Sequence, residues 1–296
     1  MSTTARIAAF AVGLLVAFAA AWGAGAAVAP VLDEPVASHD MGDESEGEAH
    51  TDDAPHAAEE ATHLPGGLLV SQDGYTLELP GTTQRPGRAT LRFTITGPDG
   101  APVTSYDVEH EKQLHLIAVR RDFSGYQHVH PTLSQDGVWT TDLGLTPGSW
   151  RVFADFRPTG GEAVTLGTDL QVTGRFRPAS HPGSVTSSEV DGYTVELIGS
   201  LDEGAVSVRV SRDGEPVTDL QPYLGAYGHL VALREGDLAY LHVHPEATDA
   251  GPEVPFGVEL PSAGGYRLFF DFKHDGVVRT AQLAVRAHAG GGNHGH

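Results

Sequence analysis

Between residues 73 and 172 apolar and polar positions alternate in short runs: YTLEL, TLRFTIT, LHLIAVR, QHVHPTL, GVWTTDL, SWRVFADF and TLGTDLQV, broken by turn residues such as PDGAP at 98–102. A period of two sends successive side chains to opposite faces of a strand, so these runs predict seven to eight short antiparallel strands. Long amphipathic helices are not evident, and strands do not alternate with helices. Strand number and spacing, with no βαβ rhythm, predict an all-β immunoglobulin-like or cupredoxin-like sandwich, without the disulfide that marks antibody domains.

The same pattern then recurs. DGYTLEL (73–79) matches DGYTVEL (191–197), DGAPVT (99–104) matches DGEPVT (213–218), HLIAVRRDFSGYQHVHP (115–131) matches HLVALREGDLAYLHVHP (229–245), and GSWRVFADF (148–156) matches GGYRLFFDF (264–272). A unit of this length buries its own core, so the repeat is a domain duplication and not a solenoid. It predicts two tandem β-sandwich modules over 67–174 and 185–287, joined through the Pro- and Gly-bearing GRFRPASHPGS of 174–184. The two modules are expected to fold as separate units with a small interface.

Ahead of the modules, Arg6 precedes 26 uncharged residues, Ile7 to Leu32. A bilayer-spanning helix needs about 20 apolar residues, whereas a signal-peptide core has ~7–15. Residues 1–32 therefore read as a retained signal anchor, or as a cleaved signal peptide with Ala24, Gly25 and Ala26 near the cut. Either way the rest is exported: single-pass in the cell membrane with its C-terminal domains outside the cytoplasm, or secreted after cleavage. Residues 33–63 carry eleven acids, four histidines (His39, His50, His56, His63) and no Lys or Arg. Such a stretch cannot make a core, and the segment 33–66 reads as a disordered acidic tether. The C-terminal 288–296, with His288, His294 and His296, reads as a second flexible, His-bearing tail.

Charge and composition then narrow the chemistry. A formal net charge of −21 makes polyanion binding unfavourable, which excludes nucleic acid as a partner. With no cysteine, there are no thiolate zinc sites, no redox CxxC pair, no cysteine nucleophile and no blue-copper centre. The two methionines, Met1 and Met41, are too few for a thioether site. No G-x-S-x-G, HExxH or phosphate-cradling glycine loop occurs, so the chain does not read as an enzyme. Metal chemistry here has to use nitrogen and oxygen.

Histidines supply it. LHLIAVR and QHVHPTL are joined by the six residues RDFSGY and read as a hairpin. With Arg120 facing Gln127, Val119 opposes His128 and Ile117 opposes His130, so His115 shares their face and lies diagonal to His130. In that register His128 is too far from His115 for direct contact. The metal-contacting pairs are then His115 with His130 and, in the second copy, His229 with His244, with His128 and His242 adjacent. On SWRVFADF, Asp155 shares a face with Arg151 and Phe153, and Asp271 is its counterpart beside Arg267 and Phe269. Each acid is a direct ligand, an orienter of a ligand imidazole, or the ion-pair partner of Arg120 or Arg234.

The string HEKQLHLIAVRRD…YQHVHP…GSWRVFADF resembles a family of secreted or membrane-anchored bacterial proteins with an HEKxxH…HxHP…FADF pattern, associated with heavy-metal and copper handling. The resemblance spans residues 68–287. His110, Glu111 and Lys112 match its HEK, whereas the second copy has Leu224, Gly225 and Ala226 there.

The expectation is an exported, tethered protein that binds Cu(II) or Zn(II) at one His site per module. It would sequester the ion or deliver it to another metal-handling protein. Imidazole suits both ions, and the Irving–Williams order favours copper. The alternative is a structural or adhesion-type tandem module whose histidines only pack. Convergent imidazoles with free nitrogens favour binding; buried rings hydrogen-bonded to backbone favour packing.

Overall fold

The computed structural model describes residues 64–180, 183–241, 243–246 and 248–288. The N-terminal apolar run, nearly all of the acidic tether, His242 and the last eight residues lie outside the described residues. Among the described residues no helix is long and apolar enough to cross a membrane.

The fold is all-β in two tandem sandwiches, with a 3-10 turn at Leu201–Glu203 among the described residues. In the first module one sheet runs in the order Ser71–Gln72, Tyr75–Glu78, Gly87–Thr96, Val138–Leu145, Thr132–Leu133. The other runs Thr83–Gln84, Val164–Val172, Gly148–Phe156, Leu114–Arg120, Gln127–Val129. The second module repeats the plan, its second sheet being Tyr240–Leu241, His229–Arg234, Gly264–His274, Val277–Ala287.

QHVHPTL is not one strand. Proline lacks the N–H that a ladder needs, and at Pro131 the chain leaves one sheet and joins the other. The hairpin register also differs from the sequence expectation by two residues, because Ala118 pairs with Gln127 and Ile117 with His128. A two-residue shift preserves the face, so all three histidines stay on one side. It sets His115 opposite His130 and brings His128 within reach.

The small interface expected between the modules is not what forms. Every residue of Leu114–Arg120 is buried, which one core cannot explain. Leu114, Leu116 and Ala118 face the first module's own core with Trp150 and Leu166. Ile117, Val119, Phe123 and Phe153 face the other way and pack with Val231, Leu233, Leu238 and Phe269 of the second module. Burying each such side chain contributes about 1.5–3 kcal/mol, so these eight residues make a shared third core.

The seam has approximate twofold character. Tyr126 stacks on Phe269 at 3.9 Å between ring centres, and the corresponding Phe153 and Tyr240 lie 5.7 Å apart. The chain entering the first module wedges in beside them: Gly66 accepts a hydrogen bond from the Tyr240 amide at 2.9 Å. Next to it Gly67, at φ 72°, leaves no room for a Cβ against the Phe153 ring. Arg151 closes this corner, donating to the carbonyls of Gly67 at 2.6 Å and Leu68 at 2.9 Å.

Candidate functional site

At one end of the seam the apolar faces give way to imidazoles. His115 begins the seam face of Leu114–Arg120, and His128 and His130 come from the partner strand and the residue just beyond it. Their ligand nitrogens all lie within 4.8 Å of one another, the group of three metal-ligating side chains found among the described residues. Ring centres are 5.3 Å apart for His115 and His128, and 5.0 Å for His130 with each of them. Three imidazoles tetrahedrally arranged on one ion, with M–N bonds of about 2.0–2.1 Å, put ring centres about 5.2 Å apart.

Hydrogen bonds fix the tautomers. A carbonyl only accepts, so His115 Nε2 carries the proton that it donates to Glu109 O at 3.1 Å. A carboxylate also accepts, so His128 Nδ1 donates to Asp271 Oδ2 at 2.8 Å, across the seam and 143 residues along the chain. The remaining nitrogens, His115 Nδ1 and His128 Nε2, face each other at 3.0 Å. With both rings neutral, two lone pairs point at one another. A shared cation, a metal ion or a proton, makes that contact attractive. His130 Nε2 is buried and finds no hydrogen-bond partner among the described residues. Burial, followed by the charge of His128, lowers the pKa of both His115 and His130 to about 3, which keeps their lone pairs available.

Asp271 is buried and its second oxygen accepts from Thr280. Its counterpart Asp155 accepts from Thr165 at 2.9 Å. The two arginines considered from sequence have other acidic partners close by. Arg120 is bound by Asp122 at 2.8 Å, and Arg234 by Asp237. Asp122 also accepts from the amide of Ala179 at 2.8 Å, which ties the inter-module linker back to the first module. Asp271 thus holds the tautomer and orientation of His128, an imidazole of the other module.

The second trio is arranged differently. His229 is buried, and its Nε2 donates to the carbonyls of Tyr223 at 3.1 Å and Leu224 at 3.2 Å; burial, then His110, lowers its pKa to about 4. His244 is exposed on Val243–Pro245, a strand that pairs with Glu253–Val258 in the other sheet and not with the strand of His229. His242 lies outside the described residues. Among the described residues the imidazoles that converge are those of the first module, at the seam with the second.

Two residues outside the expected ligand set belong to this region, His110 having been named from sequence only within the HEK match. His110 lies over His229, with ring centres 5.1 Å apart. Tyr126 is half-buried, but its hydroxyl is shielded from solvent with no hydrogen bond among the described residues, and burial followed by Asp271 raises its pKa well above the ordinary value. A cleft of about 140 Å³ reaches the cluster, lined by His110, His115, His128 and His229 with Asp155 and Tyr240.

Fold and site together define a tandem immunoglobulin-like β-sandwich protein with a histidine cluster at its inter-module seam. The chain belongs to the family described as Domain of unknown function (DUF8832), which it matches twice, over residues 70–174 and 188–289. No curated protein matches it. Among solved structures it is similar to the Escherichia coli adhesin FdeC (15% identity, TM-score 0.24, covering 73% of this chain and 65% of that one). It is also similar to the Yersinia pseudotuberculosis adhesin InvE (13% identity, TM-score 0.22, 72% and 59%). A third likeness is to the Ig1-2 module of the Drosophila receptor protein tyrosine phosphatase DLAR (8% identity, TM-score 0.19, 72% and 96%). The chain thus spans less than two thirds of either adhesin structure. At these TM-scores none of the likenesses bears on function.

Proposed function

We propose that this protein binds one divalent transition-metal ion between its two modules, through His115 Nδ1, His128 Nε2 and His130, in a non-enzymatic sequestering or delivering role. The observation that carries the reading is the facing of two lone pairs at 3.0 Å whose rings are each held from behind, by the Glu109 carbonyl and the Asp271 carboxylate. Metal-ligating histidines characteristically donate their other N–H to such groups. Zn(II) suits the near-tetrahedral disposition of the rings, and Cu(II) suits the imidazole donors and the affinity order. The resemblance to proteins of heavy-metal and copper handling fits this reading. Export on an N-terminal anchor or signal and hand-over to another metal-handling protein belong to the same proposal.

Titrating the full chain with Zn(II) or Cu(II) in high salt tests it, since salt suppresses diffuse collection by the acidic tether. The wild type should hold one more tight ion than His130→Ala. Equal stoichiometry in the two would refute the site.

A second reading has its own observation. His229, the counterpart of His115, is hydrogen-bonded to backbone as a packing histidine would be. A proton shared by His115 and His128 and balanced by Asp271 would make the seam a purely structural joint of a tandem or adhesion-type module. In that case neither protein gains a tight ion.

A further inference from the structure

We propose that His110 and His229 form a loading path to the triad, with His110 as the ligand that first takes a metal ion from solvent. The proposal rests on the metal-binding reading and concerns how the ion arrives. His115 and His128 are closed in by the seam and line the cleft, which gives an ion from solvent access to them. At about 30 Å³ per water, the 140 Å³ cleft admits a partly hydrated ion.

The cleft wall is a graded run of imidazoles. His110 is exposed, while His229 and His115 are 7% and 8% exposed. Ring centres are 5.1 Å apart from His110 to His229, 6.3 Å from His229 to both His115 and His128, and 6.1 Å from His110 to His115. Two imidazoles on one ion put their ring centres about 4.5–6.4 Å apart, according to the angle between them. Each step is therefore short enough for an ion to gain the next ligand before it loses the last.

His110 is held in place at a conformational cost. It stands at φ 48° and Glu111 at φ 64°, both left-handed, on a turn closed by hydrogen bonds of 2.9 Å and 3.0 Å between Glu109 and Lys112. Glycine or asparagine is the usual occupant of such positions. The second module keeps the turn with Leu224 at φ 56° and Gly225 at φ 77°, but Leu224 is buried. One turn thus presents an imidazole to solvent and the other closes its end with a leucine. The His110 turn is tied to the triad, because the carbonyl of Glu109 is the one that His115 Nε2 donates to.

The test is stopped-flow loading of the full chain with Co(II), followed by its absorption, and then stripping by EDTA. His110→Asn removes the imidazole and leaves a residue that tolerates the left-handed backbone. It should slow loading and stripping several-fold while the final amount bound and the affinity match wild type. His229→Gln should slow both as well. Wild-type rates in His110→Asn would overturn the path. Loss of the bound ion in that variant would also overturn it, by making His110 a resident ligand. The His130→Ala control keeps the two ideas apart: if it binds Co(II) as wild type does, the site reading fails and the path with it, whereas a site lost in His130→Ala beside unchanged rates in His110→Asn removes the path alone.

Discussion

Acidification should loosen the seam before it touches the carboxylates. His115 and His229 are buried histidines whose pKa is lowered to about 3 and about 4, burial being the largest cause in each. In the unfolded chain both titrate near ~6.5. The folded state refuses a proton that the unfolded state accepts, so their contribution is complete above pH ~6.5 and is lost as pH falls toward the folded values. At pH 5.0 the gap is about 1.5 pH units, which at 1.36 kcal/mol per unit is about 2 kcal/mol for each histidine and about 4 kcal/mol for the pair. His130, more open, adds less. The carboxylates held low by hydrogen bonds, such as Asp237 beside Arg234, act only below the unfolded value of ~3.9. Urea unfolding in EDTA at pH 7.5 and 5.0, followed by the fluorescence of Trp139 and Trp150, reads the difference. With m near 2–3 kcal/mol/M the midpoint should fall by about 1.5 M, and His229→Gln should remove about half of that fall. An unchanged pH dependence in His229→Gln would refute the reasoning.

Three more outcomes follow from the same geometry. Phe269→Ala, which opens the seam beneath Tyr126, should cost about 3–5 kcal/mol and split one urea transition into two; a single transition with an unchanged midpoint would deny the shared core. Asp271→Asn should lower metal affinity about 10–100-fold while leaving far-UV circular dichroism unchanged, and wild-type affinity by chelator competition would remove Asp271 from the site. Asp122→Ala strands the largely buried Arg120 and frees the linker amide of Ala179, so it should destabilise by about 3–5 kcal/mol, measured by urea midpoint.

Much of this was legible in the sequence, for reasons that particular residues make clear. Alternation placed the strands and the duplication placed the modules, because period-two patterning and a recurring string are local signals. The hairpin put His115, His128 and His130 on one face even though its register lay two residues off, since face depends only on parity. The seam was not read from alternation because that reading assumes a solvent face. The signal was present all the same: Ile117, Ala118 and Val119, like Val152, Phe153 and Ala154, are apolar on both sides, as a strand between two cores must be. The partners of Arg120 and Arg234 were equally near at hand in RRD and REGD. The pairing of His128 with Asp271 had no local signal, because the two modules contribute one residue each and only their docking brings them together.

The proposed ion is held by histidines of one module, one of which is oriented by Asp271 of the other. Anomalous diffraction at the zinc or copper edge from metal-loaded crystals tests it most directly. A single strong peak about 2.0–2.1 Å from His115 Nδ1, His128 Nε2 and a ring nitrogen of His130, with Asp271 still on His128 Nδ1, is the predicted result. A loaded crystal with no peak at the seam, and the ion on the tails or the surface, would contradict it.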